Sequence, residues 1–371
     1  MSDLGAIIRS MIAQEGPMSL ERYMGLALGH PRHGYYMTRD PLGASGDFIT
    51  SPEISQMFGE IIGVWCADYW ARMGAPGRIN LVELGPGRGT LMRDVLRAAR
   101  VMPGFSQAIN VQLVEMSPVL RVAQKETLRD AGARIEWFHH FGELPPGPAI
   151  ILANEFFDAL PVRHFVRTRY GWRERVVGLG AGDGLSFGVG PSNISALRVL
   201  APEGSIIESG AIGQRLMTEI ARRLVAEGGV ALAIDYGYAQ TALGETLQAM
   251  RAHAYVHPLR EPGEADLTTH VDFAALARAA RSVGARVHGP VTQADFLLGL
   301  GMAARADALK RAAPPARGPV IESELRRLTA HSNDEAVDAC RASGMGSLFK
   351  VIAVAGSGDV APAGFEKAEN P

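Results

Sequence analysis

Residues 79–91 read INLVELGPGRGTL: a six-residue run rich in Ile, Val and Leu, glycines at every second position (Gly85, Gly87, Gly89), then the start of a helical pattern in LMRDVLRAAR. A strand without clean apolar–polar alternation is buried on both faces, and such strands belong to parallel sheets covered by crossover helices. The alternation repeats along the chain. NVQLVEM precedes the helical text PVLRVAQKETLRDAG, and RIEWF and AIILANEF follow; IGQRLMTEIARRLVAEGG leads to VALAIDYGY, and VDFAALARAARSVGA to ARVHGPV. The predicted fold is α/β, with a mostly parallel sheet.

The remaining stretches are expected to decorate that sheet. Residues 4–15 and 19–28 carry helical spacing, and Ser51 followed by Pro52 reads as a cap and first-turn proline launching a helix through ISQMFGEIIGVWCADYWARM. The expected division is an N-terminal helical segment with a lid-like loop over 1–75 and a main domain over 76–371. A hairpin insertion is expected near 162–200 (RHFVRTRYGWRERVVGL), and a helical one near 294–345 before a last strand in SLFKVIAVAG.

At 371 residues and 47% hydrophobic content the chain can bury a large core. A net charge of −2 without a block of five like charges gives no electrostatic nucleic-acid footprint, so no nucleic-acid partner is expected. Cys66 and Cys340 stand alone and match no metal or redox spacing, so no metal site is expected and a reducing compartment is. No segment has the apolar length of a membrane span, and the opening residues lack a signal-peptide core, which together predict a cytoplasmic protein. Oligomeric state has no signature here.

A bare backbone between the first parallel strand and its helix lets a ligand approach the main chain, and the helix N-terminus adds free N–H groups. Dinucleotide enzymes and methyltransferases both use such a turn. A dinucleotide fingerprint requires glycine at the position held here by Thr90. The pattern that starts at Glu83, acidic-x-Gly-x-Gly-x-Gly, instead resembles the binding loop of class I S-adenosylmethionine methyltransferases, whose cofactor has no pyrophosphate. Glu83, Gly85, Gly87 and Gly89 are therefore the expected cofactor loop. Glu115, ending the second strand run, can accept hydrogen bonds from two ribose hydroxyls, a role both cofactor classes share. His139 and His140 follow the third strand, where adenine is often met; as paired loop histidines they receive no role, and adenine recognition stays open.

The second dense cluster is ILANEFFDALP, residues 151–161. Carboxyl ends of parallel strands border the ligand crevice, so Asn154 and Glu155 are expected to open into it, Asn154 beside the cofactor as well as the acceptor. Asp158 falls on the same side if the chain turns helical. Carboxylates there would offset the repulsion between a cationic acceptor, such as a guanidinium, and a sulfonium methyl donor. The alternative is a turn cap at Asp158 and a solvated Glu155. Tyr35, Tyr36 and Asp47 lie on a glycine-studded loop that either folds over the crevice or, for the tyrosines, packs the first helices onto the core. Asp235 and Tyr236, expected to end the fifth strand in AIDYGY, are further rim candidates, as is His270, which otherwise reads as a helix-start residue.

Taken in order, HPRHGYY, GDFITSPEISQMFGE, VELGPGRGTL, NEFFDALP, IDYGY, GEADLTTHVDF and MGSLFKVIAV closely resemble the MidA family, which includes the mitochondrial methyltransferase assisting assembly of respiratory complex I. The resemblance covers nearly the whole chain and is least distinctive around 180–200 and in the helical insertion. It implies the class I methyltransferase fold with a Rossmann-like seven-stranded sheet and S-adenosyl-L-methionine as cofactor. It further implies symmetric dimethylation of arginine on the 49 kDa-type subunit of complex I (NADH-quinone oxidoreductase), in the cytoplasm for a bacterial member and in mitochondria for the eukaryotic ones. The competing expectations are a non-catalytic assembly chaperone of the same fold, a methyltransferase of another acceptor, and a nicotinamide-dependent dehydrogenase, which Thr90 opposes.

Overall fold

The computed structural model describes residues 2–40, 49–330, 344–358 and 360–365. Its centre is a sheet whose main strands are β1 (Ile79–Leu84), β2 (Ile109–Val114), β3 (Ile135–Phe138), β4 (Ala149–Asn154), β5 (Gly229–Tyr238), β6 (Arg286–Thr292) and β7 (Phe349–Ala355). They lie in the order 3-2-1-4-5-7-6. Every neighbouring pair is parallel except those involving β7, which runs antiparallel to β5 and β6. The expected seven strands are present, and a two-residue eighth, Val271–Asp272, pairs with the end of β5.

The absence of alternation in these strands has the predicted cause. Ile79 and Leu81 of β1, with Ile150 and Leu152 of β4, fill one core. Val82 and Leu84, with Ile151 and Ala153, fill the other. Successive side chains therefore enter opposite layers, both dry. Helices α1 (Asp3–Glu15), α2 (Leu20–Gly29), α3 (Gln56–Arg72), α4 (Thr90–Ala99), α5 (Pro118–Thr127), α6 (Ala211–Glu227) and α7 (Phe273–Arg281) surround the sheet and its extensions. α3 and α4 cover the first core, α6 and α7 the second.

One helix boundary departs from the sequence reading. The run from Ser51 is broken into Ser51–Ile54 and α3, because Ser55 is extended (φ −156°, ψ 138°) and its hydroxyl accepts from Met57 N–H at 3.3 Å. Ser51 is the first residue of the short helix and Thr50 precedes it as the cap. A serine that caps from inside an apolar pattern restarts the helix.

Around the hairpin Arg163–Thr168 and Gly171–Leu179 a five-stranded antiparallel sheet forms, completed by Leu185–Asn193, Ile206–Ser209 and the two-residue strand Met18–Ser19. Met18 and Ser19 pair with Val177 and Val176. A third core therefore contains Leu4, Ile8 and Leu20 beside Val162 and Val177, together with Ala249, Leu259 and Leu267 from a small three-stranded sheet over 248–268. Between β6 and β7 the described helices Gln293–Gly299, Met302–Ala312 and Gly318–Thr329 place Phe296, Met302 and Ile321 in the first core. Among the described residues no helix is long and apolar enough to cross a membrane.

Candidate active site

The turn after β1 is left-handed at each glycine: φ is +60° at Gly85, +54° at Gly87 and +84° at Gly89. The three positions are not empty for one reason. A β-carbon on Gly85 would lie 2.8 Å from the Phe156 ring, and one on Gly89 would meet Leu128 at 3.3 Å. Two of the glycines thus admit protein neighbours closely, as well as supplying the backbone conformation. Gly89 is the left-handed N-cap of α4. Thr90, the residue that breaks the dinucleotide pattern, donates its hydroxyl to Glu53 at 2.5 Å.

Beneath the loop, Glu83 is almost fully buried and its Oε2 has no hydrogen-bond partner. Burial, with the nearby Glu115 charge adding to it, pushes Glu83 up to about 8, so its carboxyl is largely neutral at pH 7. Glu115 sits beyond the end of β2. Its Oε1 accepts from Ser117 N–H at 2.7 Å and its Oε2 from Gln124 Nε2 at 3.1 Å. Burial holds Glu115 above the usual carboxylate range, and those two donors pull it back down. A carboxylate has room for further donors beyond two.

At the end of β4, Asn154, Glu155 and Asp158 come together. Glu155 occupies φ +50°, a left-handed conformation uncommon for a side-chain-bearing residue. Its Oε1 accepts from Ser51 N–H at 2.8 Å and Asn154 Nδ2 at 3.1 Å. Asp158 is 7% exposed, and both its Oδ1 and the Asn154 Oδ1 are buried without a hydrogen-bond partner. Burial raises Glu155 to about 7, with the Asp158 charge contributing, and burial raises Asp158 to about 6.

Asp235 lies behind this turn and builds it. Its Oδ2 accepts from the N–H groups of Phe156, Phe157 and Asp158 at 3.1, 2.9 and 3.2 Å, and its Oδ1 from Tyr236 N–H at 3.0 Å. Burial, then the Asp158 and Glu155 charges, push its carboxyl well above the ordinary range. Tyr236 completes the rim by hydrogen bonding to Asp158 and Thr268. His270 packs edge-on against the Tyr236 ring with centroids 5.3 Å apart, and burial lowers its affinity for a proton.

The N-terminal candidates separate. Tyr36 donates to both oxygens of Asp266 at 2.9 Å. Tyr35 is fully buried in the third core, its ring edge-on to Tyr36 at 5.2 Å. Asp47 lies outside the described residues. His139 and His140 are exposed. The structure adds groups the sequence reading did not single out: Gln124, Asp266, and the straps Asp40–Arg88 at 2.7 Å and Glu53–Thr90, which tie the N-terminal segment to the glycine loop. Asp266 falls inside the conspicuous stretch GEADLTTHVDF and Glu53 inside GDFITSPEISQMFGE, whereas Gln124 has no local signal.

With this geometry in place, the comparisons with known proteins are specific. Residues 61–291 match the family described as "Putative S-adenosyl-L-methionine-dependent methyltransferase". The mitochondrial protein arginine methyltransferase NDUFAF7 of Danio rerio is 35% identical over 385 residues, spanning 94% of this chain and 85% of its own. Its Homo sapiens counterpart is 37% identical over 330 residues, spanning 79% and 72%. A crystal structure from Burkholderia thailandensis, bound to S-adenosyl-homocysteine, superposes with a TM-score of 0.83 at 26% identity over 98% of this chain and 94% of that one.

Proposed function

The chain belongs to the S-adenosyl-L-methionine-dependent methyltransferases of the MidA type, and from that premise we propose that it methylates arginine side chains of a protein, with a 49 kDa-type subunit of respiratory complex I as the target and symmetric dimethylarginine as the product. The residues fit the cofactor. The glycine turn is left-handed at all three glycines and lacks the third dinucleotide glycine, Glu83 holds an unpartnered buried oxygen beneath it, and Glu115 offers a carboxylate at the ribose position. Bound S-adenosyl-L-methionine supplies a methyl group on a positive sulfur; transfer to a guanidinium nitrogen leaves S-adenosyl-homocysteine and releases one proton.

The observation that carries the arginine reading is the state of the acceptor wall. Asp158 keeps a buried oxygen without a partner, and among the described residues no Lys or Arg ion pair engages Glu155, Asp158 or Asp235. Buried carboxylates without a cation are unfavourable, and a planar guanidinium with five donors satisfies them. Asp235 fixes the turn by three of its backbone N–H groups, so Glu155 and Asp158 are aimed before the acceptor arrives. Holding reacting partners in line supplies roughly 7 to 11 kcal/mol of a displacement barrier. Asp158 and Glu155, raised to about 6 and about 7, are also suited to receive the released proton near neutral pH.

The complex I target and the bacterial cytoplasm as compartment rest on the family resemblance; the named eukaryotic relatives are mitochondrial. The test is incubation of the chain with methyl-labelled S-adenosyl-L-methionine and the subunits of the organism's own complex I, with mass-spectrometric location of the label. Symmetric dimethylarginine on the 49 kDa-type subunit is expected. Label on a non-arginine residue ends the acceptor reading, and S-adenosyl-homocysteine binding without transfer to any subunit leaves an assembly chaperone.

A further inference from the structure

Gln124 lies in the middle of α5 and is completely buried. Its whole amide is used. Nε2 donates to the Gly87 carbonyl oxygen at 2.8 Å and to Glu115 Oε2 at 3.1 Å, while Oε1 accepts from the Trp137 indole N–H at 2.9 Å. The indole can only donate, so it decides which end of the amide faces the loop. Turned over, the amide would set its oxygen against a carbonyl and a carboxylate. The contact is also close in the main chain: a β-carbon on Gly89 would lie 3.5 Å from the Gln124 Cα. One side chain therefore joins the glycine turn after β1, the acid after β2 and the aromatic on β3. Ser117 N–H holds the other oxygen of Glu115.

We propose that Gln124 is the positioning residue of the nucleoside site, presenting the Glu115 carboxylate to the two ribose hydroxyls and fixing the glycine turn against it, with Trp137 setting the amide's direction. The inference rests on the S-adenosyl-L-methionine reading of the loop. Without the Nε2 donor, Glu115 is held at one oxygen only, by Ser117 N–H, its Oε2 loses its fixed direction, and the selectivity for a hydroxylated ribose falls along with affinity. A group that merely packs α5 onto the loop would affect every nucleoside equally.

The experiment is calorimetric titration of the full chain with S-adenosyl-homocysteine and with its 2′,3′-dideoxyribose analogue. The unaltered protein binds the first and is expected to bind the second about 10- to 100-fold more weakly, the scale of hydrogen bonds to a charged group. Gln124→Met, which keeps the volume and removes the donors, is expected to weaken S-adenosyl-homocysteine by about tenfold and to reduce the discrimination to about threefold or less. Trp137→Phe leaves Gln124 in place with its direction unset; an intermediate discrimination is expected, and this variant decides the matter should Gln124→Met fail to fold. Full discrimination in a folded variant overturns the role of Gln124. Absence of S-adenosyl-homocysteine binding by the unaltered protein removes the cofactor reading and this inference with it.

Discussion

The two walls of the crevice are finished to different degrees. On the cofactor wall, Glu115 and Gln124 have their polar atoms engaged with Ser117, Gly87, Trp137 and each other, and Glu83 is the exception beneath. On the acceptor wall, Asn154 Oδ1 and Asp158 Oδ1 are buried and unmatched, and Glu155, Asp158 and Asp235 all hold their protons more tightly than carboxyls in water. In the proposed function, the first wall receives a neutral, hydroxyl-bearing group, and the second, electrostatically incomplete, would be completed by a cationic ligand.

The contrast breaks first at the acceptor carboxyls. Glu155→Gln and Asp158→Asn are each expected to lower kcat/KM for an arginine-bearing substrate by about 100- to 1000-fold, the cost of removing one member of a buried charge pair. S-adenosyl-homocysteine affinity, measured calorimetrically on the same proteins, is expected to stay within about threefold of the original. Loss of both together would mean that the walls are a single unit.

The converse change is expected to be smaller. Gly87→Val places a branched side chain at φ +54°, a conformation it disfavours by a few kcal/mol, so S-adenosyl-homocysteine binding should weaken about a hundredfold while thermal unfolding remains cooperative. Unchanged affinity would take the cofactor away from this turn.

The smallest effect is on stability and runs with pH. Glu155 is raised from 4.5 to about 7, and Asp158 from 3.8 to about 6. Stability that depends on their neutral forms is complete below pH 4 and declines as pH rises through those values. Glu155→Gln cannot ionise, so relative to the original protein it should gain stability at pH 8 and nothing at pH 4, read from urea unfolding midpoints. Guanidinium binding needs the ionised forms, so substrate kcat/KM should rise between pH 5 and 8. A profile flat across that range would remove these carboxyls from acceptor binding.

How visible each wall was in the sequence follows from how local its chemistry is. The strands show themselves because both faces are buried, and the turn because glycine readily takes positive φ at every second position. Glu115, Asn154, Glu155 and Asp158 follow from one topological rule, that ligands meet the carboxyl ends of parallel strands. Gln124 is invisible by that rule: a glutamine in a mostly polar helix reads as solvent-facing until β3 brings Trp137 to it. Asp235 is expected at a strand end, but β5 runs on to Tyr238, and the work of Asp235 is to hold four backbone N–H groups, three of them 77 to 79 residues back and one a residue on. The small sheet over 248–268 escapes because its strands are two to four residues long, too short for any period. The strand Met18–Ser19 escapes for the same reason.

That last pairing changes how the beginning of the molecule is to be regarded. Chain ends are ordinarily the part of a protein most easily trimmed or extended. Here two residues near the start are laid along Val176 and Val177, 157 to 159 positions later, and the helices on either side of them roof the same apolar chamber. Cutting before Leu20 would strip one edge from a distant ribbon and open that chamber to water, so the opening segment acts as a keystone for the appended ribbon and is poorly suited to engineering by deletion.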